Sequence, residues 1–109
     1  MQRRYFEKSA FGEQIITHIG DAIAIIPKIE ATFDLVFIDA HKVEYESYLD
    51  AVLPKCRKGS VLLCDNVLWS GKVMEDVPED DIATKALQQF NDRIRDDDRL
   101  ESIILPIRD

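Results

Sequence analysis

The sequence lacks the features that mark several classes of protein. Its 109 residues carry a formal net charge of −7, with 14 basic and 21 acidic side chains, and no basic stripe offers to bind nucleic acid phosphates. Its apolar runs are only a few residues long, far short of the about 20 residues that cross a bilayer. We therefore expect no nucleic acid partner and no membrane partner, and a cytoplasmic location is the default expectation.

Cysteine and glycine are also scarce. The two cysteines, Cys56 and Cys64, are too few for a disulfide framework, and we expect both to be free thiols. The glycines are Gly12, Gly20, Gly59 and Gly71. They are too scattered to form the Gly-x-Gly turn that cradles a nucleotide.

Two short apolar runs end abruptly in acidic or amide side chains. The first segment, residues 33–38 with its unbroken apolar part at 35–38, is followed by Asp39, and the second, residues 59–64 with its apolar part at 61–64, is followed by Asp65 and Asn66. Continuous apolar runs are typical of strands in a parallel sheet that is buried on both faces, and ligands bind beyond the carboxyl ends of such strands. We therefore predict that Asp39, Asp65 and Asn66 meet at one site.

The rest of the chain alternates between helices and strands. The first half is expected to hold a helix over 2–9, a strand over 14–18, a short helix capped by Asp21, the strand before Asp39, and a helix with Tyr45, Tyr48, Leu49 and Val52 on one face. The second half is expected to hold the strand before Asp65, a loop over 68–81, a helix capped by Asp81 with Ala83, Leu87, Phe90 and Ile94 on one face, and a strand over 100–107. This order predicts one α/β domain over 1–109, with a mainly parallel sheet and helices on both faces.

The acidic strand ends suggest a hard cation site. Carboxylate and amide oxygens suit Mg²⁺, Mn²⁺ or Ca²⁺ better than zinc. Three protein ligands leave open positions for a substrate with two adjacent oxygens, and the cation would stabilise an alkoxide or phenolate there. Lys42 is expected to reach the same place, and a neighbouring cation would lower the pKa of its amine into the range of a general base.

Each of these residues also has an ordinary structural interpretation. An Asp at the end of a strand is often a turn or capping residue. Lys42 fits a solvated surface position, Trp69 fits a cover over the core, and Tyr45 and Tyr48 fit packing positions on a helix face. The joint pattern, and no single residue, favours a functional site.

Two segments carry a resemblance to a known family. The run Phe-Asp-Leu-Val-Phe-Ile-Asp-Ala-His-Lys-x-x-Tyr over 33–45 and the run Gly-Ser-Val-Leu-Leu-Cys-Asp-Asn-Val-Leu-Trp over 59–69 resemble the cation-dependent O-methyltransferases. These are the caffeoyl-CoA and catechol O-methyltransferase-like enzymes, which use S-adenosylmethionine on a Rossmann-like class I sheet. Residues 86–106 resemble their late helix and strand. The resemblance covers the C-terminal half of such an enzyme, so we expect a partial sheet.

The resemblance implies the chemistry of the site. By this match Asp39, Asp65 and Asn66 are the metal ligands and Lys42 is the catalytic base, while Trp69 lies where the family closes over its acceptor substrate. The implied reaction transfers the sulfonium methyl of S-adenosylmethionine to a hydroxyl of a small, catechol-like acceptor that Lys42 deprotonates. The implied cofactors are S-adenosylmethionine and a divalent cation, Mg, Mn or Ca.

The resemblance also implies cofactor contacts. Gly20, Asp21 and Ala22 match the turn that lies against the adenine of the cofactor. His41 and Asp39 match positions that face the cofactor. The glycine-rich turn and the ribose-binding acid of the family have no counterpart in the 109 residues.

Two other functions compete with methyl transfer. One is a non-catalytic remnant or interaction module of the same family, because only part of the cofactor site is present. The other is a phosphoacceptor receiver domain, which a strand ending in Asp39 and the chain length fit, but which needs an acidic pair after the first strand. A homodimer is the oligomeric state that the family resemblance implies.

Overall fold

The computed structural model describes residues 2–108, with side chains from residue 4 onward. These residues form the helices α1 (Gln2–Phe6), α2 (Ala22–Ile25), α3 (Tyr45–Val52) and α4 (Ile82–Asp96), and the strands β1 (Phe33–Ile38) and β2 (Cys56–Cys64). Short 3-10 turns occupy Gly12–Gln14, Ile26–Lys28, Lys42–Glu44, Leu53–Lys55 and Trp69–Met74. The segment between β2 and α4 is otherwise irregular, as predicted for a loop.

The two strands pair in parallel. Val36 lies opposite Leu62 and Ile38 lies opposite Cys64. The backbone N–H of Asp65 donates to the carbonyl of Ile38 at 3.0 Å, which continues the pairing one residue past β2. This register brings the carboxyl ends of both strands to the same edge of the sheet.

The start of β2 is irregular. The register shifts between Phe33 and Leu35, where Gly59 adopts a φ of +92° that residues with a Cβ rarely reach. The Ser60 hydroxyl donates to the carbonyl of Phe33 at 2.7 Å and accepts from the backbone N–H of Arg57 at 2.9 Å. These bonds hold the bulge, so the regular part of β2 runs in register to its acidic end.

The core lies between the sheet and helices α3 and α4. Its buried apolar side chains are Ile38, Tyr45, Leu49, Val52, Leu87 and Phe90. Ile38 comes from β1 and the other five come from the predicted faces of both helices. Each fully buried aliphatic or aromatic side chain of this size contributes roughly 1.5–3 kcal/mol. Arg93 of α4 pairs with Asp50 of α3, which ties the two helices together at the surface.

Both predicted helix caps are confirmed. The Asp21 carboxylate accepts from the backbone N–H of Ile23 at 3.0 Å. The Asp81 carboxylate accepts from the Thr84 backbone N–H at 3.2 Å and from its hydroxyl at 2.8 Å. These bonds satisfy N–H groups that a helix leaves unpaired in its first turn.

The predicted α/β class with a parallel sheet and helices is confirmed, but only one face of the sheet is covered. Val36 and Leu62 point to the helices. On the other face Leu35, Phe37, Val61 and Leu63 remain 45–59% exposed. The helix layer expected on that second face is not found within residues 2–108.

The predicted strands over 14–18 and 100–107 do not form. Between residues 2 and 108 the sheet has the order β1–β2 and no third strand, and Ile16, Ile103 and Leu105 are 62–82% exposed. A strand is stable only when its N–H and C=O groups find partners on a neighbouring strand. Helix α1 also ends at Phe6 rather than at residue 9, and no helix in the described range is long and apolar enough to cross a membrane.

Candidate active site

A buried lysine lies where the two strands end. Lys42 begins the 3-10 turn that leads into α3, and only 8% of its surface is exposed. Its Nζ lies 2.5 Å from the Tyr45 hydroxyl, 3.3 Å from Asp39 Oδ1 and 3.4 Å from the carbonyl oxygen of Asp65. The three N–H donors of the ammonium group therefore have three oxygen partners.

The sheet explains why these residues meet. Asp39 follows β1 directly, Asp65 follows β2 directly, and the parallel register places both at the same edge. Lys42 follows Asp39 by three residues, which is one turn of the chain as it enters α3. The structure thus brings Lys42 to Asp39 and to the carbonyl of Asp65 at this edge, and Asn66 follows Asp65 directly.

Hydrogen bonds to the ammonium group govern the protonation of Lys42. Burial alone lowers the pKa of Lys42, but its bonds to Tyr45 and Asp39 outweigh burial, and the pKa lies above its ordinary value. The side chains around Lys42 therefore do not by themselves produce the lowered pKa that is expected beside a cation. With these partners Lys42 carries a proton near neutral pH.

Tyr45 belongs to the site, although sequence reasoning assigned it to packing alone. Its ring is fully buried and meets Phe90 edge to face, with ring centroids 5.3 Å apart. Its hydroxyl donates to the Asp65 carbonyl at 2.8 Å and accepts from Lys42, and burial raises its pKa. Its position three residues after Lys42 was the signal available in the sequence.

The candidate cation ligands combine two carboxylates and an amide. The Asp39 side chain is 55% exposed, Asp65 is exposed, and Asn66 is half-buried. Asn66 adopts a φ of +57°, which Asn tolerates better than most residues, and its backbone N–H donates to Asp65 Oδ1 at 2.8 Å.

This donor set fits a hard cation, because its oxygens come from accessible carboxylates and an amide at one sheet edge. No group of three or more His, Cys, Asp or Glu residues in the described part of the chain is arranged to hold a metal ion. The third ligand of the predicted set is an asparagine, which stands outside those four residue types.

Trp69 lies beside the lysine. It is half-buried, packs against the core, and its ring centroid is 6.0 Å from Lys42 Nζ. Trp69 and Ser70 both adopt φ values above +50°, a region that costs energy for residues with a Cβ.

Two amides of α4 hold the loop that carries this tryptophan. Asn91 Nδ2 donates to the carbonyl of Val67 at 2.9 Å. Gln88 Nε2 donates to the carbonyls of Val73 and Glu75, each at 3.1 Å. Sequence reasoning placed no function on either amide, because the apolar period of α4 does not reveal what its polar residues bind.

Apart from Asp39, the predicted cofactor contacts lie outside the hydrogen-bonded group around Lys42. Gly20 adopts a φ of +141°, Asp21 caps α2, and Ala22 begins it. Helix α2 packs against α3, which follows the Lys42 turn. His41 is exposed and lies 3.7 Å from Glu44 through Nδ1, so its side chain faces solvent.

Both cysteines are free thiols, as predicted. Burial raises the pKa of Cys64 to about 11 and also raises that of Cys56. Since the thiolate is the reactive form, neither side chain is a nucleophile near neutral pH.

The sequence of the chain is similar to those of several known enzymes. It is 39% identical over 80 residues to a Dictyostelium discoideum protein named "Probable caffeoyl-CoA O-methyltransferase 1", a match that covers 73% of this chain and 35% of that protein. It is 30% identical over 129 residues to tricin synthase 2 of Oryza sativa subsp. japonica, covering all of this chain and 44% of that one. It is 27% identical over 107 residues to catechol O-methyltransferase of Niastella koreensis, covering 94% and 48%.

Solved structures agree with these relatives. The SAH-bound methyltransferase PaMTH1 of Podospora anserina superposes with a TM-score of 0.81 at 26% identity, covering 96% of this chain and 50% of that one. TomG of Streptomyces achromogenes, an O-methyltransferase of tomaymycin synthesis solved with SAM, gives a TM-score of 0.77 at 26% identity, covering 85% and 43%. The chain thus spans half or less of the length of each of these five proteins. The family model described as O-methyltransferase matches residues 1–109, and the chain belongs to the O-methyltransferase family.

Proposed function

We propose that this chain supplies the acceptor and cation half of an S-adenosylmethionine-dependent O-methyltransferase site. The observation that carries the proposal is the position of Lys42. A lysine that is 8% exposed lies against Asp39 and Asp65 at the carboxyl ends of two parallel strands, in a chain of a methyltransferase family. Ligands of such sheets bind at that edge.

The proposed cofactors and acceptor follow from the relatives. The structures of TomG and PaMTH1 contain SAM and SAH, and one relative is named for catechol. We infer that the methyl donor is S-adenosylmethionine and that the acceptor is a small aromatic with adjacent hydroxyls. Methyl transfer forms a bond from the acceptor oxygen to the methyl carbon as the carbon–sulfur bond breaks.

The side chains have separate tasks in this proposal. Asp39, Asp65 and Asn66 would hold a divalent cation of the Mg, Mn or Ca type, and such a cation would supply positive charge that favours a deprotonated acceptor hydroxyl. Lys42 is the proposed general base: its ammonium would first release a proton to water, which a neighbouring cation would favour, and its neutral Nζ would then take the proton of the acceptor hydroxyl. Trp69 packs beside the acceptor and keeps water from it. Gly20, Asp21, Ala22 and His41 are proposed to lie along the cofactor.

A non-catalytic role within the same family is the second candidate. The observation that favours it is the exposed sheet face of Leu35, Phe37, Val61 and Leu63. On this alternative the chain binds a partner through that face and transfers no methyl group. The family match over residues 1–109 argues against a phosphoacceptor receiver domain.

A methyl-transfer assay separates the two candidates. The full chain is incubated with labelled S-adenosylmethionine, Mg²⁺ and catechol, and the methylated catechol is measured. We expect turnover that stops when EDTA removes the cation and that falls at least tenfold in Asp65→Ala. A folded chain without turnover would contradict the catalytic proposal and favour the interaction module.

A surface aspartate gives the matched control. Asp98 is exposed and lies in the turn after α4, a different element from either strand end. Asp98→Ala removes the same charge as Asp65→Ala. An equal loss of activity in both variants would contradict a specific role for Asp65.

A further inference from the structure

The Tyr45 hydroxyl is the shortest contact of the buried lysine. It accepts a hydrogen bond from Lys42 Nζ at 2.5 Å, against 3.3 Å to Asp39 and 3.4 Å to the Asp65 carbonyl. The same hydroxyl donates to the Asp65 carbonyl at 2.8 Å and lies 3.4 Å from the carbonyl of Ile38. One oxygen therefore joins the lysine to the ends of both strands.

The ring fixes the position of that hydroxyl. Tyr45 is fully buried, and its edge-to-face contact with Phe90 anchors it to α4. Because the ring is packed by its neighbours, the hydroxyl at its end can move very little. The packing of α3 against α4 therefore fixes the position of the Tyr45 hydroxyl, and the solvent-exposed groups of the site do not.

Lysine needs such a partner more than most side chains. Its ammonium stands on a flexible four-carbon stem with several rotatable bonds. Asp39 is 55% exposed, so water competes for its contact with Lys42. The Tyr45 hydroxyl is shielded from water and offers the lysine a fixed acceptor.

We propose that Tyr45 is a positioning residue that holds the Lys42 amine at the edge of the sheet between Asp39 and Asp65. Its effect on methyl transfer rests on the proposed function, whereas its hold on Lys42 does not. The competing view is that Tyr45 only fills the core. The two views differ only in the role of the hydroxyl oxygen. On our proposal the hydroxyl holds the Lys42 amine in place, whereas on the competing view only the ring matters, because it fills space in the core.

Tyr45→Phe removes the hydroxyl and keeps the buried ring. Tyr48→Phe is the matched control, since Tyr48 lies on the same helix, is half-buried, and directs its hydroxyl to Glu44 at 3.4 Å. The readout is the NMR signal of the two Hε protons of Lys42 in lysine-labelled protein, assigned by its loss in Lys42→Arg. An immobilised lysine shows two resolved Hε signals, whereas a freely rotating one shows a single averaged signal.

We expect resolved Lys42 signals in the wild type and in Tyr48→Phe, and an averaged signal in Tyr45→Phe. The methyl signals of Leu49 and Leu87 should stay unchanged in all three proteins. Resolved Lys42 signals in Tyr45→Phe would overturn the proposal. Loss of the Leu49 and Leu87 signals together with those of Lys42 would overturn it too, because that result describes a general loosening of the core.

Kinetics test the consequence for the reaction. Displacement of a reacting group by about 1 Å costs up to about a hundredfold in rate, so we expect kcat of Tyr45→Phe to fall about tenfold to a hundredfold with an unchanged KM for S-adenosylmethionine. Tyr48→Phe should match the wild type. An unchanged kcat in Tyr45→Phe would overturn the effect on catalysis. A wild-type chain with resolved Lys42 signals but no turnover would refute the proposed function and leave the positioning role supported.

Discussion

At the scale of residues, the site depends on one buried charge. A buried ammonium is tolerated only when its N–H donors have acceptors, and Lys42 has Asp39, Tyr45 and the Asp65 carbonyl. The spacing from Asp39 to Lys42 and the acidic strand ends predicted two of these partners. The hydroxyl of Tyr45 escaped prediction, because a helical period says which face a ring occupies and not where its polar tip points.

Lys42→Met tests whether this lysine serves function or stability. Asp39 is half exposed and regains water when the lysine is lost, and a methionine of similar length fills the same space. Because Tyr45 loses its buried donor but keeps its bond to the Asp65 carbonyl, we expect the free energy of unfolding to fall by no more than about 1–2 kcal/mol, while methyl transfer is lost. Urea unfolding of Lys42→Met and of the exposed control Lys58→Met measures the effect. A loss of several kcal/mol in Lys42→Met alone would make the lysine a structural residue.

Packing at single positions of α4 is equally testable. Leu87 is fully buried, whereas Ile82 on the same helix is 61% exposed. Leu87→Ala should lower the free energy of unfolding by about 2–5 kcal/mol, because it removes buried methyl groups and leaves a cavity. Ile82→Ala should stay within about 0.5 kcal/mol of the wild type. Similar urea midpoints for the two variants would contradict the assigned core.

At the scale of elements, apolar periodicity and capping residues correctly predicted the helices and strands whose formation depends on nearby residues. Helices α2, α3 and α4 and strands β1 and β2 form where the apolar patterns predict them, with Asp21 capping α2 and Asp81 capping α4. The apolar segments 14–18 and 100–107 do not become strands, because strand formation depends on a neighbour elsewhere in the chain. The sequence of such a segment contains no record of whether that neighbour is available.

The cap of α4 predicts a pH-dependent stability. Hydrogen bonds from Thr84 lower the pKa of Asp81 below its ordinary value of 3.8. A carboxyl whose pKa is lowered by folding stabilises the fold above its unfolded pKa, and this effect is lost as the pH falls through the folded pKa. Asp81→Ala should therefore lower the Tm at pH 7 and differ less from the wild type at pH 3.

Circular dichroism, which reports the total helix content, can follow thermal unfolding at pH 7 and at pH 3. Asp80→Ala is the control, since Asp80 is an exposed neighbour that does not cap the helix. It should melt like the wild type at both pH values. A Tm difference between Asp81→Ala and the wild type that is the same at pH 7 and pH 3 would refute the ionised cap.

At the scale of the whole molecule, the sheet has one covered face and one open face. Leu35, Phe37, Val61 and Leu63 form an apolar surface of the kind that marks an interaction site or a risk of aggregation. The sequence predicted a sheet covered on both faces, because its strands read as continuous apolar runs. The apolar runs indicate that the open face of the sheet is apolar, but they do not indicate which element or partner covers it.

We propose that this face drives self-association into a homodimer. Light scattering after size exclusion should give a mass near twice that of the 12.5 kDa chain at high protein concentration. Phe37→Thr with Leu63→Thr should shift the protein towards the monomer, because both changes remove exposed apolar area and keep a residue that suits strands. A monomeric wild type, or a dimer that persists in the double variant, would contradict this interface.

The most direct test of the central claim is a calorimetric titration of the folded chain with S-adenosylhomocysteine in the presence of Mg²⁺. The claim is that the residues at the ends of β1 and β2 assemble a working part of a methyltransferase site. It predicts saturable binding that weakens at least tenfold in Asp39→Ala and stays unchanged in Asp98→Ala. A cooperatively folded chain that releases no heat of binding, or binds equally well in Asp39→Ala, would contradict it.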